Sequence, residues 1–117
     1  MLVLGDGTGH GVLGGFMTVL GISLLESIWE EGVTDLKSVA AALSHKLALY
    51  LHSDEGSVVK DGIEALFMLI RPHHNRLKYV NAGGSVRGFY LSHYQIVELP
   101  KSGPGLGQEI LGPAQAW

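Results

Sequence analysis

Six glycines, Gly5, Gly7, Gly9, Gly11, Gly14 and Gly15, fall within eleven positions near the start of the chain. Residues this permissive weaken the interior of a regular element, so such a cluster marks a stretch where the backbone must turn or let something approach closely. Before it stands a short apolar run, Met1 to Leu4, which reads as a buried strand feeding a loop over Gly5 to Gly11. After it, Leu13, Phe16, Met17, Leu20, Leu24 and Ile28 recur at steps of three and four, the period of a helix with one buried face, and Gly32 is placed to cap its end. Thr34 or Asp35 can cap a second helix whose stripe is Leu36, Val39, Ala40, Leu43, Leu47 and Leu51, ending near His52.

Beyond the polar stretch Ser53 to Lys60 the pattern changes. Ile63 to Ile70, Leu77 to Val80, Val86 to Leu91 and Gln95 to Leu99 are apolar runs bounded by turn residues, which predicts a four-stranded antiparallel meander. Its hairpins would lie at Pro72-His73-His74-Asn75, Gly83-Gly84-Ser85 and Ser92-His93-Tyr94. The expectation is one α+β domain over residues 1–117, ordered strand, two helices, meander. Residues 101–117 would be an irregular tail, loop or extended segment in need of a partner surface, with six Gly or Pro in seventeen residues.

Charged residues make up 16% of the chain, against about 25% in an average soluble domain, so either the core is deep or another segment covers part of the surface. A net charge of −3 without a Lys/Arg cluster disfavours nucleic acid, and any phosphate chemistry would need metal cations. Without cysteine there is neither disulfide nor thiolate site, which fits a reducing compartment, and the cytoplasm is expected. The uncharged stretch Gly7 to Leu25 is loosened by glycines and closed by Glu26, Glu30 and Glu31, so no membrane span is expected, nor is a secretory signal.

The glycine loop admits two readings. Gly9-His10-Gly11-Val12-Leu13-Gly14 matches the dinucleotide fingerprint, but a second helix follows where that unit needs a parallel strand ending in an acidic residue. Read from two residues earlier, Asp6 leaves a strand directly before Gly7, which offers a hard carboxylate ligand and an unobstructed backbone carbonyl to Mg²⁺ or Mn²⁺. An Asp that merely caps the following turn would look the same.

Leu4-Gly5-Asp6-Gly7-Thr8-Gly9-His10-Gly11-Val12-Leu13-Gly14-Gly15-Phe16-Met17 resembles the D-G-T-G-H-G-V-P-G-A-[FL]-M signature of the SpoIIE-type PP2C-like (PPM) serine/threonine phosphatases. Asp61-Gly62-Ile63-Glu64 and Leu77-Lys78-Tyr79-Val80-Asn81-Ala82-Gly83-Gly84 extend the resemblance, which reaches about Gly107. It implies a partial PP2C-like α-β-β-α sandwich around a two-metal Mn²⁺ or Mg²⁺ centre, with Asp6 as the metal-bridging carboxylate and the Gly7 carbonyl beside it. The implied reaction is hydrolysis of phosphoserine or phosphothreonine by metal-activated water. The implied substrate is a phosphoprotein such as a STAS-type anti-sigma-factor antagonist. His10 is a weaker candidate catalytic residue, since relatives place their general-acid His two residues after the Asp and here it stands four after.

The upstream G-D-[FY] segment of the family and its late [ST]-D-G-x-x-[DE] motif, which bring further metal-binding carboxylates, have no counterpart in this sequence. A centre with one side-chain ligand should hold cations poorly. The expectation is therefore a phosphatase domain that is weak or inactive as this chain alone, and the alternative is a non-catalytic, phosphatase-like protein-binding module. The two helix stripes read as core; as an alternative, the same resemblance would let Leu20, Leu24, Leu43 and Leu47 face a dimer partner or a regulator, and a homodimer or a covering segment of a larger protein is the partner expected. His73-His74 reads as a solvated hairpin turn, and His45, His52 and His93 as surface or satisfied polar residues.

Overall fold

The computed structural model describes residues 1–9, 11–51 and 62–107, without the side chain of Leu51. Along the chain run β1 (Leu2–Gly7), α1 (Gly11–Glu30), α2 (Leu36–Leu51), β2 (Ile63–Arg71), β3 (Arg76–Ala82), β4 (Phe89–Ser92) and β5 (Gln95–Glu98). The fold is mixed α+β, with helices after the first strand and antiparallel strands thereafter.

Local chemistry stops α1 and starts α2. Gly32, at φ +83°, donates its N–H to the Trp29 carbonyl while Val33 reaches back to Ile28, the paired bonds that close a helix through a left-handed residue. Three residues later Asp35 accepts the Ser38 N–H at 3.1 Å and the Ser38 hydroxyl at 3.0 Å, capping α2. Lys46 of α2 pairs with Glu31 at 2.7 Å across the helix pair.

The stripe of α2 is buried as the periodicity requires: Leu36, Val39, Ala40, Leu43 and Leu47. In α1 the buried positions are Met17, Gly21, Leu24 and Ile28, whereas Leu13 and Phe16 are about half exposed. No described element lies over that side of the first two turns. Leu24, Leu43 and Leu47 are core residues, as the helical period requires, instead of the partner face that the resemblance offered as an alternative, and Leu20 packs against the same core. They meet Phe67, Val80 and Ala82 on one face of a three-stranded sheet. Each fully buried large apolar side chain there contributes roughly 1.5–3 kcal/mol relative to exposure.

The sheet has the order β1-β2-β3, all antiparallel, which excludes the parallel unit of a dinucleotide fold among the described residues. The four-stranded meander is corrected: β3 does not pair with β4, and β4 and β5 form a separate hairpin. At Gly83 and Gly84 (φ +93° and +94°) the chain leaves the sheet instead of returning along β3. The edge of β3 is taken by Ser102 and Gly103, whose N–H groups both reach the Asn81 carbonyl, while Gly83 donates to Gly103.

β1 is longer and less buried than the sequence suggests. It runs to Gly7, so Asp6 lies within the strand, and Leu2 and Leu4 are 55% and 60% exposed on the side away from the helices. Over 101–107 the tail is irregular chain that finds a partner surface. Leu106 is fully buried, bonds Ile63 in both directions, and is followed by Gly107, which donates to Ser44 Oγ at 2.9 Å. The partner surface of this segment is the chain's own β2 and α2; residues 108–117, Trp117 among them, lie outside the described residues.

By length and composition α1 is apolar enough to cross a membrane, yet Met17, Leu24 and Ile28 are committed to the core.

Candidate functional site

Antiparallel pairing of β1 with β2 sets Asp6 directly opposite Glu64. Alternation along a strand puts Val3, Gly5 and Gly7 toward the helices and Leu2, Leu4 and Asp6 on the outer face. Two acidic residues therefore share the outer face, an arrangement that is unfavourable between adjacent strands. The next position in the row is Gly83, where a Cβ would collide with the Glu64 side chain. Bare backbone there lets Glu64 lie across β3, where its Oε2 accepts the Ser85 N–H at 2.7 Å. Its carboxylate is thus engaged, while Asp6 is exposed and its side chain makes no hydrogen bond or ion pair among the described residues.

The loop after Asp6 is held at both ends. Thr8 donates its N–H to the Gly62 carbonyl at 3.0 Å and accepts the Gly62 N–H on its hydroxyl at 3.1 Å, tying the glycine stretch to the entry of β2. A Cβ on Gly14 would stand 2.8 Å from the Gly9 carbonyl oxygen, so the loop folds back directly onto the first turn of α1. Close approach, as much as positive φ, explains the density of glycine. Gly7 is half-buried against Met17. His10 and Asp61 lie outside the described residues.

One further oxygen belongs to this region. Asn81 is 2% exposed and its side-chain Oδ1 is buried without a partner. Asn81 pairs with Leu66, so alternation places it on the outer face, one row along from Asp6 and Glu64. Sequence reading passed over Asn81, because nothing in a strand pattern marks which amide will be orphaned. Glu64 entered that reading only as part of the segment Asp61-Gly62-Ile63-Glu64; the missing signal was the pairing of β1 with β2.

These donors can be tested against a two-cation centre. Hard divalent cations take six or more oxygens, several of them carboxylate. Here the row supplies one free carboxylate, one carboxylate already bonded to Ser85, and one neutral amide. No group of three or more His, Asp or Glu converges among the described residues. The described residues do not by themselves fit a two-cation centre.

The other histidines gather nothing. His73 and His74 sit exposed in the single turn of 3₁₀ helix Pro72–His74, as the hairpin reading required. His45 and His93 are exposed, and His52 lies outside the described residues. The absence of a Lys/Arg cluster, by contrast, is overturned. Arg71, Arg76 and Lys78 converge with His74 on one cavity at the β2–β3 turn.

Comparison with curated proteins and with solved structures gave no significant match. A family model described as stage II sporulation protein E (SpoIIE) matches residues 1–114. The matched span takes in the glycine loop, both helices and all five strands. The chain therefore belongs to the SpoIIE family of PP2C-like phosphatase domains.

Proposed function

We propose that this chain is a metal-dependent protein serine/threonine phosphatase domain, weak or inactive by itself, which hydrolyses phosphoserine or phosphothreonine once further carboxylates complete the site. The observation that carries the reading is Asp6, an unengaged carboxylate on an exposed strand, at the head of the glycine loop in a chain matched to the family over residues 1–114. In this reading Asp6 is the metal-bridging carboxylate, with the Gly7 carbonyl beside it. A STAS-type anti-sigma-factor antagonist is the proposed substrate class, and Mn²⁺ or Mg²⁺ the proposed cofactor.

A second reading, a non-catalytic phosphatase-like binding module, is favoured by the donor count, since the outer face beside Glu64 offers one free carboxylate among the described residues where two cations need several. Calorimetric titration with Mn²⁺ tests whether this chain holds a metal centre of its own, with Asp6→Ala as control. Two binding events that vanish in the variant support the phosphatase reading, reject the binding module and lead to assays on phosphoproteins. Heat no greater than that of the variant rejects a centre held by this chain alone and leaves a phosphatase segment completed by further carboxylates or the binding module.

A further inference from the structure

β2 and β3 run past the end of β1. Leu2 is paired with Met68, so Leu69, Ile70 and Arg71 bond only to β3. The projecting hairpin closes through the turn Pro72–His74 and Asn75, the latter at φ +48°. At its last rung Arg71 stands directly opposite Arg76. Alternation places Lys78 on the same side as Arg76. These three, with His74 from the turn, line a cavity of about 190 Å³, and no carboxylate lines it among the described residues.

Among the described residues no ion pair neutralises this charge. The sequence has no Asp or Glu between Glu64 and Glu98. The described ion pairs are Lys46–Glu31 and Arg87–Glu98, and neither reaches the hairpin tip. Asp35 interacts with Lys78; its carboxyl is held low first by the Ser38 N–H and hydroxyl, and only secondarily by Lys78 and Lys37. Two arginines facing each other across a ladder repel, so the tip is built at a cost that an anion would remove.

The geometry points to a phosphate-binding subsite at the hairpin tip, taking the phosphorylated side chain of a polypeptide partner. One carboxylate satisfies one guanidinium fork, whereas two arginines, a lysine and an imidazole exceed its two oxygens. A phosphate monoester brings three acceptor oxygens and nearly two negative charges. A nucleic-acid backbone fits less well, because the chain is acidic overall and Glu26 and Glu30 lie beside Met1 and Val3 at the same end of the sheet. Seven residues of strand separate Glu64 from Arg71, about 23 Å at the usual rise. The subsite is therefore separate from Asp6 and does not require the phosphatase reading to hold.

The test is binding of a fluorescent phosphoserine peptide to the full chain by anisotropy, beside its unphosphorylated and glutamate-substituted counterparts, with inorganic phosphate as competitor. The phosphopeptide should bind at least about tenfold more tightly than either counterpart, the charge-assisted bonds being the difference. Inorganic phosphate should displace it. Arg71→Gln with Arg76→Gln should remove that preference, and Lys78→Gln alone should reduce it, each with an unchanged circular dichroism spectrum. Asp6→Ala should leave it intact. Equal binding of the three peptides, or undiminished preference in the double variant, overturns the subsite. Loss of binding in Asp6→Ala instead assigns the phosphate to the other end of the sheet and overturns it as well.

Discussion

The two faces of the three-stranded sheet carry apolar side chains at alternate positions and meet different surroundings. On one face Phe67, Val80 and Ala82 are covered by Met17, Ile28, Leu43 and Leu47 from the two helices, all nearly or wholly buried. On the other, Leu2, Leu4, Ile70 and Leu77 remain 45–60% exposed. Toward the Glu64 end, Leu66 is shielded instead, with Gly88 and Leu99 lying against it. The difference teaches that strand pattern supplies two apolar faces, and only the packing of other segments decides which becomes core. The low charge content of the chain is this second face seen in composition.

The comparison can be broken most directly at Phe67. Phe67→Ala, in the covered face, should lower unfolding free energy in urea by about 3–5 kcal/mol. Leu4→Ala, across the same sheet, should change it by no more than about 0.5 kcal/mol. A loss at Leu4 approaching that at Phe67 would mean that the outer face is buried in solution. The next largest effect is expected from Gly83→Ala. It forces a side chain to φ +93° and drives Glu64 off Ser85, so it should cost more than about 1 kcal/mol. Native-state hydrogen exchange should show the Ser85 amide losing its protection. An unchanged Ser85 amide would sink the account of how Glu64 avoids Asp6.

Asp35→Ala should lower the melting temperature modestly at neutral pH, by removal of the cap on α2. Ser38 holds the Asp35 carboxyl below its ordinary range, with smaller help from Lys78 and Lys37. A lowered carboxyl stabilises the fold above its ordinary range and ceases to do so as pH falls through the lowered value. The difference between parent and variant should therefore close in acid; a gap that persists at low pH would show that the cap does not act through the carboxylate. The smallest effect is expected at Arg87–Glu98, an exposed pair at 2.7 Å. Arg87→Gln should shift melting slightly at low salt and not at all in about 1 M salt, where such charges are screened.

How much of this was legible depends on the range of the forces concerned. Periodicity, the Gly32 stop and the Asp35 cap are local, and the sequence carried them to within a residue or two. The glycine loop was legible as a special site and, through its motif, as that of a family whose match spans residues 1–114. The neighbours of Asp6 were not legible. Glu64 stands opposite it only because β1 skips two helices to pair with β2, and Asn81 and Ser85 join the region through β3 and Glu64. The cationic tip was hidden for a related reason: Arg71, Arg76 and Lys78 are spread along the chain and are gathered by a hairpin.

Readable from the sequence were the order of elements, the buried stripe of α2 and that of α1 from Met17 onward, the turns at Gly32, Pro72–Asn75 and Ser92–Tyr94, and the family. These follow from spacing, backbone freedom and capping chemistry, which act over a few residues. Tertiary structure alone decided that β4 and β5 leave the sheet and that Leu106 returns to close it against Ile63. It also decided that Glu64 turns from Asp6 toward Ser85, and which strand face is covered. Strand pairing joins residues far apart in the chain through backbone groups that every residue possesses, so the choice of partner rests on how whole elements pack rather than on any side chain in the strand itself.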